Sequence, residues 1–249
     1  MGSLHREFQR GSQGITRLVV APSADDLVRQ AAERMAAAID IALVQRERAQ
    51  IALAGGQTPA PVYRRLGQEH LPWDRVDVLL GDERWVPADD PASNARMLRE
   101  TLLAEPPGSQ ACFHPVPTDR PSPAESASAY AQLLAQLCSG DPPVFDLMVL
   151  GLGDDGHTAS LFPGTPAASV RDCSVTLGEG KGLPRVTLTA PVLSAARQVI
   201  VLVSGAGKRQ ALARLLDPQE PAERTPARLV QPFSPLVILA DAAAAEGLL

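Results

Sequence analysis

Residues 145–164 read FDLMVLGLGDDGHTASLFPG. The first six, apolar apart from Asp146, read as a strand buried on both faces, as in a parallel sheet covered by helices. Behind it lies Gly151-Leu152-Gly153-Asp154-Asp155-Gly156, a literal G-x-G-x-x-G. Three features argue against a dinucleotide site. Asp154 and Asp155 stand where a pyrophosphate would dock, and their charge repels it. Pro163 cuts the helix that should carry the dipole toward the phosphates. No second strand ends in an acidic residue about 20 positions on, as a ribose contact requires. What remains is a glycine turn at the ligand end of a central strand, followed by His157.

Outward from this stretch, strand-like runs at 15–21, 49–54, 76–80, 112–116, 185–189, 198–203 and 236–240 alternate with helical patterns. In the clearest helix, 25–45, Leu27, Ala31, Met35, Ile39 and Leu43 recur at i+4 behind a Ser-x-x-Asp capping signal at Ser23. Further helices are expected at 59–66, 93–103, 124–137, 191–197 and 208–216, with an Ala-rich helix after the last strand. This alternation predicts an α/β fold: a Rossmann-like open, mainly parallel sheet with helices on both faces. Residues 1–14, polar and Gly/Ser-bearing, read as a disordered or expression-derived tail. Residues 15–249 are expected to form a single α/β domain.

The chain has 249 residues, 45% of them apolar and 20% charged, with a formal net charge of −5. No basic run exists to neutralise nucleic-acid phosphates or an anionic membrane, and no apolar stretch approaches the length of a membrane span. Cys112, Cys138 and Cys173 are too few and too scattered for a disulfide framework or a zinc site, which suits reduced thiols in a cytoplasmic protein.

In parallel sheets ligands bind beyond the carboxyl ends of the strands. After 49–54 comes Gly55-Gly56-Gln57-Thr58-Pro59. Its glycines and the helix start behind them suit an anion, although a plain strand-to-helix turn has the same composition. After 76–80 comes Gly81-Asp82-Glu83-Arg84, where Arg84 can fork onto phosphate oxygens with an acidic neighbour orienting it; a solvated charge cluster is the alternative. Ser93-Asn94 suits a helix cap. After 198–203 comes Ser204-Gly205-Ala206-Gly207-Lys208. It is no Walker loop, but it offers amides and a cation to a phosphate. His157, with Asp155 two residues back, has the makings of a general base whose tautomer a carboxylate fixes.

In this order the motifs resemble the 6-phosphogluconolactonase family. The most specific stretch is Gly151–Gly164, and Pro184-Arg185-Val186-Thr187-Leu188-Thr189 is a weaker match. The resemblance implies hydrolysis of 6-phospho-D-glucono-1,5-lactone by water activated at His157, with Asp155 orienting the imidazole. It places Gly55, Gly56, Gln57, Thr58, Asp82, Arg84, Arg185 and Lys208 around the substrate and its phosphate. It implies no metal and no organic cofactor, and a small phosphosugar lactone as partner of a monomer or weak homodimer. Gln57 stands where a small hydroxyl residue is common. The related glucosamine-6-phosphate deaminases carry an acidic residue before the Pro-Gly, where this chain has Phe162. Deaminase/isomerase chemistry and non-catalytic sugar-phosphate binding are the competing expectations.

Overall fold

The structure, a computed structural model, describes residues 3–9 and 14–248. In chain order the elements are β1 (Leu4–Gln9), β2 (Ile15–Ala21), α1 (Ala24–Gln45), β3 (Ala49–Leu53), α2 (Pro59–Leu66), β4 (Val76–Leu80), β5 (Asp82–Arg84), α3 (Asn94–Arg99), β6 (Cys112–Phe113), α4 (Pro123–Leu137), β7 (Leu147–Gly151), β8 (Val175–Gly180), β9 (Leu183–Leu188), α5 (Ala190–Ala195), β10 (Gln198–Val203), α6 (Arg209–Leu216) and β11 (Leu236–Asp241). Eight strands form one sheet in the order β1-β2-β11-β10-β7-β3-β4-β6. All its pairings are parallel except that of β1 with β2. A smaller antiparallel sheet, β5-β9-β8, stands beside it.

Local chemistry explains the main elements. Ser23 caps α1 by accepting from the Asp26 amide, and Leu27, Ala31, Met35, Ile39 and Leu43 all face inward at the expected spacing. Leu147–Leu150 of β7 are buried throughout, as a strand covered on both faces must be. Tyr130 of α4 is fully buried, and its hydroxyl bonds to both the amide and the carbonyl of Leu80, at 2.9 Å each, tying α4 to the end of β4.

The amino rim of the large sheet is clamped by ion pairs. Arg48 grips Asp77 with two bonds of 2.8 Å, and His114 and Gln50 reach the same carboxylate at 2.9 and 3.2 Å. Asp146, just before β7, meets Arg46 at 3.1 Å and Arg197 at 3.3 Å, and accepts from the Gln50 amide at 3.0 Å.

Several elements differ from expectation. Leu4–Gln9 lies in the segment set apart as a tail, yet forms an edge strand paired along its length with β2. The helix expected over 93–103 ends at Arg99, and the chain continues in turns. The Ala-rich segment after β11 folds as turns, because Asp241 accepts from the Ala244 amide and the Ala245 amide bonds back to the Asp241 carbonyl. The small second sheet was unforeseen, as its strand β8 is interrupted by Gly178 and Gly180.

Candidate active site

The strand order reverses between β3 and β7. From β3 the chain runs outward to β4 and β6, then returns to β7 and runs the other way through β10 and β11. Such a switch point leaves a crevice at the carboxyl ends of the strands. A cavity of about 370 Å³ lies there, walled by the segments that follow β3, β4, β7 and β10 and by the tip of the β8–β9 hairpin.

The turn after β7 carries His157. Its backbone closes on itself through Gly153 N–H to His157 O at 2.8 Å and Gly156 N–H to Gly153 O at 3.0 Å. Gly156 has φ +94°, which favours glycine. At Gly153 a Cβ would sit 2.0 Å from His157 Nδ1, so only glycine leaves room for the imidazole. Among the described residues no α-helix stands between β7 and β8, only a 3-10 turn at Pro166–Ser169, and this agrees with the break expected at Pro163.

Asp155 Oδ1 accepts from the His157 backbone amide at 3.0 Å and meets Nδ1 at 2.5 Å. A carboxylate only accepts, so Nδ1 carries the proton and Nε2 keeps the free lone pair. The Phe162 ring lies against the imidazole with centroids 4.2 Å apart. Burial pushes the His157 pKa below the ordinary imidazole value, with Asp155 pulling the other way and Asp82 adding to that pull. Burial raises the Asp155 carboxyl, but the two bonds from His157 outweigh it and hold it below the usual carboxylate range.

Four cations line the cavity: Arg84, Lys181, Arg185 and Lys208. Arg84 donates from Nη1 to the Ala92 carbonyl at 2.6 Å. Arg185 is buried. Its Nε donates to Gly180 O at 3.2 Å, its Nη1 lies 3.7 Å from Asp82, and its guanidinium lies over the Phe162 ring at 5.3 Å. Lys208 pairs with Asp154, the acid next to Asp155, and the loop before it is braced by Asp241, which accepts from Ser204 Oγ at 2.6 Å and from the Gly205 amide. Asp82 in turn accepts from Ser160 Oγ at 2.5 Å.

Of the residues singled out from sequence, Gly55, Gly56, Gln57, Thr58, Asp82, Arg84, His157, Arg185 and Lys208 all line this cavity, and Asp155 stands behind His157. Thr58 begins α2 with no side-chain capping bond of its own. Asn94 lines the cavity as well as opening α3, and its side-chain amide donates to the Asp82 carbonyl at 2.8 Å. Lys181, Ala159 and Ser204 also line it and were missed. Ser204 stood in the glycine-rich turn already noted, whereas Lys181 carried no motif. Among the described residues no cluster of three His, Cys, Asp or Glu side chains is placed to hold a metal ion.

Comparison with known proteins agrees with this geometry. Residues 22–238 match the model of the family described as glucosamine-6-phosphate isomerases/6-phosphogluconolactonase. A 6-phosphogluconolactonase of Synechocystis is 43% identical over 89% of this chain and 94% of its own length, and that of Rattus norvegicus is 40% identical over 75% of each. The solved 6-phosphogluconolactonase of Trypanosoma brucei superposes with a TM-score of 0.84 at 32% identity, covering 97% of this chain and all of the other. A monomeric glucosamine-6-phosphate deaminase shares the fold, with a TM-score of 0.75 at 22% identity. The chain belongs to the glucosamine-6-phosphate isomerase/6-phosphogluconolactonase family.

Proposed function

We propose that this chain is a 6-phosphogluconolactonase, which hydrolyses 6-phospho-D-glucono-1,5-lactone to 6-phosphogluconate in the pentose phosphate pathway. The observation that carries this is the His157 imidazole. It is desolvated, fixed in one tautomer by Asp155 and placed on the wall of a cavity that four cations share. Such a group is a base rather than an acid near neutral pH.

The lactone is an internal ester. Water attacks C1 as His157 Nε2 takes its proton, and the C1 oxygen gathers negative charge. The C1–ring oxygen bond then breaks, and the proton held on Nε2 passes to the departing oxygen, which becomes a sugar hydroxyl. The acid formed loses its proton to solvent. General-base help of this kind contributes ~10²–10⁴-fold, or about 3–5 kcal/mol of barrier. The phosphate supplies binding energy that orients C1, and Arg84, Thr58, Gln57 and Lys208 are the residues proposed to hold it. Asp82 and Arg185 brace the wall between phosphate and base.

Deaminase chemistry needs a further proton carrier where this chain has Phe162, whose ring packs on His157 and can move no proton. No helix among the described residues is long and apolar enough to cross a membrane. The test is acid release from freshly made lactone, corrected for spontaneous opening. His157→Ala is expected to lower kcat by ~10²–10⁴-fold with KM little changed. Turnover by wild type no faster than the uncatalysed reaction would overturn the assignment, as would ammonia release from glucosamine 6-phosphate at the faster rate.

A further inference from the structure

Among the described residues only Ala159 (φ 46°) and Lys181 (φ 54°) combine a side chain with a left-handed backbone, and both line the cavity. Lys181 sits at the tip of the β8–β9 hairpin. The flanking pair is Gly180 and Leu183, so Lys181-Gly182 is a two-residue loop, and with Gly182 at φ 75° both positions are left-handed. Such loops favour Asn, Asp or Gly at the first position, and a long side chain there costs about 1–2 kcal/mol. Backbone strain of this kind collects at functional sites.

The hairpin is pressed onto the base. A Cβ at Gly180 would meet the Phe162 ring at 2.2 Å, that ring lies tilted against His157, and Arg185 donates to the Gly180 carbonyl. Hairpin tip, Phe162 and imidazole thus form one packed unit, with Lys181 at its cavity end. Among the described residues the Lys181 ammonium makes no hydrogen bond or ion pair. The other three cavity cations are each held, Arg84 by Ala92 O, Arg185 by Gly180 O and Asp82, and Lys208 by Asp154. Its charge also acts on the imidazole itself.

Resting on the lactonase assignment, we propose that Lys181 is a further catalytic residue, whose ammonium meets the negative charge that develops on the C1 oxygen and remains on the product carboxylate. It serves the reacting end of the sugar, not the phosphate. A cation with no ion-pair partner among the described residues, carried on a hairpin tip, can follow that oxygen from neutral carbonyl to oxyanion, and stabilisation confined to the charged state raises kcat.

Lys181→Met and Lys181→Asn are the variants, and 6-phosphogluconate and glucitol 6-phosphate the probes, the second sharing the phosphate handle but lacking the carboxylate. Both variants are expected to lose about 10- to 100-fold in kcat with KM within ~3-fold of wild type. They should bind 6-phosphogluconate more weakly and glucitol 6-phosphate as before, whereas Arg84→Ala weakens both. Asn suits a left-handed loop, so the thermal midpoint of Lys181→Asn should not fall, which separates lost chemistry from lost folding. An unchanged kcat, or equal loss of both probes, overturns the inference. A wild type without lactone turnover overturns the function itself, a result distinct from either.

Discussion

In the proposed reaction Nε2 of His157 accepts a proton near neutral pH, and two opposing influences set the pH at which it can. Burial favours the neutral ring, while the Asp155 carboxylate favours the charged one. Since burial wins, the acid limb of kcat/KM should lie below the ordinary imidazole value of about 6.5. Asp155→Asn removes the opposing charge. The imidazole pKa should fall further, so the acid limb should move to still lower pH, while the plateau drops because the ring is a weaker base with a looser tautomer. A pH-rate profile of both proteins checks this, and a limb that moves to higher pH would contradict it. His157 was legible in the sequence because a histidine directly after a buried strand falls at the ligand end of the sheet. Lys181 was not. The flanking strand reads Val-Thr-Leu-Gly-Glu-Gly, whose glycines erase the alternation that marks a strand, and a lysine between glycines looks like any exposed loop residue.

The elements that carry the site owe their form to buried polar groups as much as to apolar pattern. Glu83 in β5 is almost wholly buried and accepts from the amides of Arg84, Asn94 and Ala95, each at 2.7 Å. Burial raises its pKa, and those three bonds oppose the rise. The carboxylate thereby holds the start of α3 against β5 and keeps Asn94 and Arg84 on one wall of the cavity. Glu83→Ala leaves those three amides without a partner, takes an acceptor from the Ser93 hydroxyl and is expected to cost about 2–4 kcal/mol in urea unfolding, with Arg84 losing its orientation as well. In the sequence Glu83 stood inside a charged tetrad where a solvated cluster was the alternative. That it turns inward follows from the amides of Asn94 and Ala95, which α3 brings to it across an irregular loop that carries no periodic signal. Beyond α3 the amides of Thr101 and Leu103 both bond back to the Leu98 carbonyl, so 100–104 close as turns rather than continue the helical period.

At the scale of the whole molecule, strand alternation was enough to give the parallel sheet, and the sheet gave the place to look. Strand order and the second sheet were not legible, because pairing joins segments far apart in the chain, such as β2 with β11. The amino rim yields a stability prediction. Asp77 is buried, which raises its pKa, but bonds from Arg48, His114 and Gln50 outweigh burial and hold it below the usual carboxylate range. A carboxylate depressed on folding contributes stability above its unfolded value of about 3.9, and that contribution is lost as pH falls through the folded value. Asp77→Asn should therefore lower the unfolding free energy at pH 7 by about 1–3 kcal/mol and flatten its decline below about pH 4. Denaturant melts across that range check both parts.

The clamp of Arg46, Arg48, Asp77, Asp146 and Arg197 occupies the end of the strands opposite to the crevice. Heat tolerance and turnover can accordingly be tuned separately in this protein. One border of the sheet can be hardened with tighter bracing while the loops on the far border keep their sequence.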